Sequence, residues 1–331
     1  MSTEQAQPPA AAGLRLPDFF IAGQPKSGTT ALYEMLARHP QIYMSAVKEP
    51  HYFAVDNPLP ERTEGPRWSA LEQTGVREQR LEDYLSLFAP ARADQRAGEA
   101  TTSYLWSPSA ARRIAELQPA ARVIGILREP AAFLRALHLQ LIRNQHETER
   151  DLRTALSLDD ARREGRHIPD RSVWPRALIY SDRVRYVEQL RRYEEVFPRE
   201  QLLVLIYDDF RSDNEGTLRS VFRFLDVEED VPIEPVEVHQ AVSVRPAGGA
   251  LVGRLSSPKG PAGRMVRAAV RTVLPARTRL DVRRKIIFTK PEPADEGLMR
   301  DLRGRFKGEV VALSEHLGRD LVKLWGYDDV G

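Results

Sequence analysis

The chain has 331 residues, 42% of them hydrophobic and 29% charged, with a formal net charge of +2. This composition excludes a disordered or a fibrous chain, and the length suits one large α/β domain or two ordinary ones. The chain has no cysteine, which excludes disulfide frameworks, thiolate zinc sites and cysteine nucleophiles, and so small a net charge sets up no global field for nucleic acid.

Only seven of the 49 basic residues are lysine, and alanine is abundant, the bias of a GC-rich bacterial genome. No run approaches the roughly 18 apolar residues of a membrane span. Residues 1–16 lack both the basic n-region and the apolar h-region of a signal peptide. The expectation is a flexible tail over 1–16, a single domain over 17–331 and a cytoplasmic protein.

Asp18-Phe-Phe-Ile-Ala-Gly23 is a short apolar run ending in glycine and reads as a buried strand. Residues 29–39 follow with Ala31, Leu32, Met35 and Leu36 at helical spacing, and Pro40 stops them. A second strand is expected over 41–44, and residues 57–75, rich in proline and charge, read as a surface excursion. Residues 122–127 (RVIGIL) form a continuous apolar run, the mark of a strand covered on both faces. Helical periodicity resumes through Phe133, Leu134, Leu137 and Leu141. Residues 180–196 read as one charged amphipathic helix, 201–207 (QLLVLIY) as a third buried strand, and 214–225 as the helix behind it. Strands alternating with helices indicate βαβ units and a mainly parallel sheet.

From 254 to 285 the character changes: ten basic residues stand against the single acid Asp281, nine net positive charges on a chain whose total is +2. This window reads as a solvated flap, as a surface for an anionic acceptor or carrier protein, or as a membrane-surface contact using Val266, Val270, Val273 and Leu274. Residues 296–324 read as one closing helix, with Leu298, Leu302, Phe306, Val310, Val311, Leu313 and Leu317 as its apolar stripe.

The segment that carries chemistry is Gly23-Gln-Pro-Lys-Ser-Gly-Thr-Thr30. A glycine-bearing turn backed by a helix N-terminus makes a nest of N–H donors for a phosphate. Lys26 adds a charge, while Ser27, Gly28, Thr29 and Thr30 complete the cradle. A nucleotide triphosphatase loop would place lysine directly after the second glycine, where this chain has Thr29. The strand RVIGIL ends in Arg128, which suits an anion and repels a metal. The strand QLLVLIY ends in Asp208 and Asp209, which keeps open a kinase reading with ATP and magnesium.

Lysine before the glycine, as PKSGTT, resembles the 5′-phosphosulfate loop of the sulfotransferases that use 3′-phosphoadenosine 5′-phosphosulfate (PAPS). In family order, Lys48-Glu-Pro-His-Tyr-Phe53 resembles the acidic motif of the heparan-type and bacterial branches, and Leu127-Arg-Glu-Pro130 the start of the 3′-phosphate motif. Leu205-Ile-Tyr-Asp-Asp-Phe210, Phe222-Arg-Phe-Leu225 and Leu317-Gly-Arg-Asp-Leu-Val-Lys-Leu-Trp325 resemble the strand-end motif, the helix after it and the C-terminal helix. The resemblance covers roughly residues 17–327 and implies a central parallel sheet flanked by helices, the P-loop NTPase-like sulfotransferase fold.

It implies PAPS as sulfuryl donor, adenosine 3′,5′-bisphosphate (PAP) as product, and no metal requirement, since no polyphosphate must be neutralised. Lys26 would stabilise the leaving phosphate, Glu49 would act as general base toward an acceptor hydroxyl, and Arg128 would read the 3′-phosphate. Tyr207 matches an adenine contact and Arg245 a basic lid; Tyr207 also reads as a core aromatic. His51 reads as an orienter of Glu49, a substrate contact or a loop histidine, and Glu49 alone would read as a salt-bridge partner of Lys48. Two positions depart from the family. Ala136 replaces the serine eight residues after Arg128, leaving Arg135 or His138 as substitutes, and Ala100 replaces a lysine after Glu99. Glu99, Thr101 and Thr102 are candidate acceptor-side contacts. A nucleotide-binding protein that has lost turnover is the remaining alternative.

Overall fold

The computed structural model describes residues 13–54, 80–170, 172, 174–232, 234, 243–244, 288–289 and 293–330. Arg245, the basic window 254–285 and the excursion 57–75 lie outside the described residues.

In chain order the elements are β1 (Phe19–Gly23), α1 (Thr29–Leu36), β2 (Ile42–Met44), α2 (Leu81–Leu85), β3 (Arg96–Ala100), α3 (Ala110–Leu117), β4 (Arg122–Leu127) and α4 (Pro130–Arg143). Then come α5 (Leu152–Ser157), α6 (Asp159–Arg163), α7 (Tyr180–Arg183), α8 (Tyr186–Glu194), β5 (Leu202–Ile206), α9 (Tyr207–Ser212) and α10 (Asn214–Leu225). A two-stranded antiparallel pair, β6 (Ser243–Val244) and β7 (Phe288–Thr289), precedes α11 (Glu296–Leu317) and α12 (Leu321–Leu324).

The five-stranded sheet has the order β2-β3-β1-β4-β5 and is parallel throughout. All five residues of β1 are buried, because helices cover both faces, and its side chains alternate between two cores. Phe20 and Ala22 join the core under α3, α4, α8 and α11; Phe19 and Ile21 join the one under α1 and α10. The C-terminal strand ends therefore open onto the loops that carry the sequence motifs.

Four expectations change. Within the tail expected over 1–16, Leu16 is buried and Arg15 pairs with Asp18, so these two residues belong to the packed fold. The helix expected over 180–196 is two helices, α7 and α8. The closing helix is also two: Gly318 caps α11 at φ 63°, a left-handed conformation that glycine adopts without a Cβ penalty, and Val311 of the expected stripe is exposed. Finally, β3 was not anticipated; Gly98 leaves room there for the ring of Phe19, which any Cβ would meet at 2.3 Å. Among the described residues no helix is long and apolar enough to cross a membrane.

Candidate active site

The loop from Gly23 to Thr30 leaves the buried end of β1 and turns into α1. Its shape depends on two glycines. Gly28 sits at φ 87°, and a Cβ there would press on the Phe210 ring at 3.0 Å. Gly23 has φ 148°, and a Cβ would meet Leu105 and the Thr102 carbonyl at 3.0 Å. Between them Lys26 takes φ 61°, a left-handed conformation that a residue with a Cβ holds only when its surroundings compel it. Alternating backbone of this kind turns successive N–H groups toward one point. No side chain caps the N-terminus of α1 and no acid lies in its first turn, so the first-turn amides and the helix dipole are left for an anion.

The cations agree with that reading. Burial lowers the Lys26 ammonium from its ordinary pKa, and the charges of Arg143 and Arg128 lower it further. Arg128 donates to the Lys26 carbonyl at 2.7 Å, and its guanidinium lies 4.7 Å over the Tyr207 ring. Tyr186 donates to the Arg128 carbonyl at 2.9 Å. Like charges held together in partial burial repel unless an anion joins them. Ser27 turns its hydroxyl back to the Pro25 carbonyl at 3.4 Å, so it braces the loop, while its amide stays part of the nest.

Glu129, for which the sequence suggested no role, caps α4: its carboxylate accepts from the amides of Ala131 and Ala132 at 3.2 and 2.6 Å. Tyr327 donates to the same group at 2.6 Å.

Glu49 stands on the loop after β2. Its amide donates to the Ala100 carbonyl at 3.0 Å, which hangs this loop on the end of β3. Both Glu49 and His51 have φ 59°, so two left-handed residues aim the KEPH turn. Lys48 donates to Glu49 Oε1 at 2.9 Å, and His51 Nε2 lies 3.7 Å from Oε2. The ion pair with Lys48 and the histidine neighbour are therefore both present. His51 Nδ1 meets the Ser103 hydroxyl at 2.9 Å, and its ring packs 5.0 Å from Trp174. Burial lowers the His51 pKa against the opposing pull of Glu49, which leaves the ring neutral at pH 7.

The β3 end corrects the acceptor-side expectation. Glu99 is 0% exposed and faces inward, accepting from Tyr84 and Tyr104 at 2.8 Å and from Thr101 at 2.5 Å. Burial pushes its carboxyl up to about 7 despite those three hydroxyls. Glu99 and the buried Thr101 thus support the loop from beneath and do not face an acceptor. His138 does not replace the serine missing at Ala136, because Tyr180 and the Arg150 carbonyl occupy its two ring nitrogens at 2.8 and 3.1 Å.

The structure brings Lys26, Ser27, Gly28, Thr29, Thr30, Arg128 and Tyr207 into one cradle, with Phe210 of α9 behind Gly28. Glu49 and His51 stand beside the end of β3. Arg143, Ser103 and Trp174 were not singled out from sequence; they come from separate segments and carry no local motif.

An anion nest on a parallel α/β sheet, with a half-buried lysine before the second glycine and a carboxylate by the next strand end, defines a phosphoryl- or sulfuryl-transfer type of site. Residues 17–231 match the sulfotransferase family, and the chain belongs to that family. It is 28% identical to mouse "Carbohydrate sulfotransferase 15", over 64% of this chain and 44% of that one. It is 28% identical to human "Bifunctional heparan sulfate N-deacetylase/N-sulfotransferase 3", over 64% and 22%. The chain thus spans less than half the length of these curated relatives. A solved sulfotransferase from Alicyclobacillus acidocaldarius superposes with a TM-score of 0.65 at 25% identity, over 95% of this chain and all of the other.

Proposed function

We propose that this chain transfers a sulfuryl group from PAPS to a hydroxyl of a carbohydrate or other hydroxyl-bearing acceptor. The observation that carries this reading is Arg128 bonded to the Lys26 carbonyl at 2.7 Å, beside a nest whose helix has neither a cap nor a first-turn acid. The residues fit the donor: the amides from Ser27 to Thr30 suit its 5′-phosphate, Arg128 the 3′-phosphate and Tyr207 the adenine. Arg245, outside the described residues, keeps its expected role as a basic lid. When bound, the donor supplies an activated SO₃ unit on a phosphate leaving group.

Lys26 places positive charge where the leaving phosphate oxygen becomes negative, and the loop amides add donors already oriented for it. Glu49 takes the acceptor proton as the hydroxyl oxygen bonds to sulfur and the bridging oxygen departs with the nucleotide. His51, neutral and fixed by Ser103, borders the carboxylate and limits how it turns. A single domain from 17 onward, a cytoplasmic location, and contacts of the basic window with an anionic acceptor, a carrier protein or a membrane surface belong to the same proposal.

Calorimetric titration with PAP, AMP and ATP, with and without magnesium, tests the donor. Tight, metal-independent binding of PAP that weakens for AMP is expected. Preference for ATP with magnesium would replace this reading with the kinase one.

A further inference from the structure

The segment from α11 to Tyr327 returns to the Arg128 side of the cradle. Gly326, at φ 68°, follows α12 in a left-handed turn, and the Tyr327 amide donates across it to the Val322 carbonyl at 2.8 Å. That turn folds Tyr327 inward, where it is wholly buried, and its hydroxyl donates to Glu129 Oε1 at 2.6 Å. Arg303 of α11 brings its Nε to 3.5 Å from the same oxygen. Glu309, further along α11, accepts from the Val187 amide at 2.9 Å, and the neighbouring Tyr186 donates to the Arg128 carbonyl at 2.9 Å. Trp325 makes the remaining tie, to Asp208, the residue after Tyr207.

These ties meet on two facing turns. Glu129 follows Arg128 directly, so a carboxylate held in place fixes the backbone from which the Arg128 side chain departs. Capping α4 needs only the bonds from Ala131 and Ala132; Tyr327 adds a tie to a residue 198 positions away. Across the gap, Trp325 holds the α9 turn that presents Tyr207. The Arg128 guanidinium spans the two turns, 4.7 Å over the Tyr207 ring. Among the described residues its one hydrogen bond goes to the Lys26 carbonyl, which leaves its other N–H donors available. A charge-assisted hydrogen bond weakens steeply as its angle and distance are lost. The aim of this side chain therefore depends on the turns that carry it.

We propose that Tyr327 is a positioning residue for the 3′-phosphate of the nucleotide. Through Glu129 it holds the Arg128 turn, while Trp325 of the same segment holds the Tyr207 turn. The spacing between them sets how strongly the site prefers a 3′-phosphorylated nucleotide over one without that group. The C-terminal segment thus takes part in recognition of the donor without touching it. This inference rests on the donor reading given above.

The test is calorimetry with PAP and AMP on the wild type, Tyr327→Phe, Arg128→Ala and the double variant. Phenylalanine fills the same buried space and removes only the hydroxyl, so the fold is kept. Tyr327→Phe should weaken PAP by about fivefold or more and leave AMP within about twofold. In the Arg128→Ala background the same change should have no further effect on PAP, because the group it acts through is gone. A hydroxyl that served stability alone would weaken both nucleotides alike, or weaken PAP equally in both backgrounds. Either result overturns the proposal, as does PAP binding by Tyr327→Phe equal to that of the wild type. Failure of the wild type to bind PAP overturns the donor reading itself, and this inference with it.

Discussion

The indole N–H of Trp325 donates to Asp208 Oδ2 at 2.9 Å, and the adjacent Asp209 is paired with Arg319. The two acids at the end of β5 thus fasten the C-terminal segment beside Tyr207, which explains their position without a metal-binding role. Trp325 is buried, so Trp325→Ala should cost about 3–5 kcal/mol in urea unfolding. Arg319→Ala, which breaks a pair open to solvent on both sides, should cost less than about 1 kcal/mol. Sulfuryl transfer should persist in EDTA. A requirement for added magnesium would return Asp208 and Asp209 to the role of metal ligands.

Glu49 sits between Lys48 and His51 on a loop tied to β3 through its own amide. Glu49→Gln keeps the size and the backbone tie but removes the proton acceptor. Turnover should fall by roughly 10² to 10⁴, with PAP affinity intact. Unchanged turnover would show that another group takes the proton.

Much of the scaffold was legible because the buried strands of a parallel sheet are continuous apolar runs: β1, β4 and β5 lie within two residues of where those runs begin and end. Strand β3 (RAGEA) was hidden because its composition obeys no β-propensity; Gly98 is there to admit Phe19, and Glu99 to accept three hydroxyls. The division of the closing helix depended on Gly318 taking a left-handed conformation, a signal weaker than the apolar stripe around it. In the site, the cradle could be read from one contiguous loop and Arg128. The inward turn of Glu99, the charge of Arg143 near Lys26 and the tie of Tyr327 to Glu129 arise only from packing between distant segments.

Arg128 joins two parts of the cradle, since it donates to the Lys26 carbonyl and covers the Tyr207 ring. Arg128→Ala should weaken PAP binding by about 1.5–3 kcal/mol, the range for a hydrogen bond to a charged group. AMP, which lacks the 3′-phosphate, should lose much less. An equal loss for both nucleotides would mean that Arg128 only braces the loop.

Glu99 makes stability depend on pH in a direction opposite to that of a salt-bridged carboxylate. Its carboxyl is pushed from the ordinary 4.5 up to about 7, because burial disfavours the charge more than Thr101, Tyr104 and Tyr84 favour it, with Glu49 adding like-charge repulsion. Between those values the folded protein keeps a proton that the unfolded chain has released. The contribution to stability is complete below about pH 4.5 and declines as pH rises through about 7, by about 3 kcal/mol in all. Glu99→Gln, neutral at every pH, should remove that decline. Urea unfolding at pH 5 and pH 8 measures it: the wild type should lose more stability than the variant between the two conditions. Equal losses would mean that the three hydroxyls hold Glu99 ionised across the range, with its proton playing no part in the pH dependence of folding.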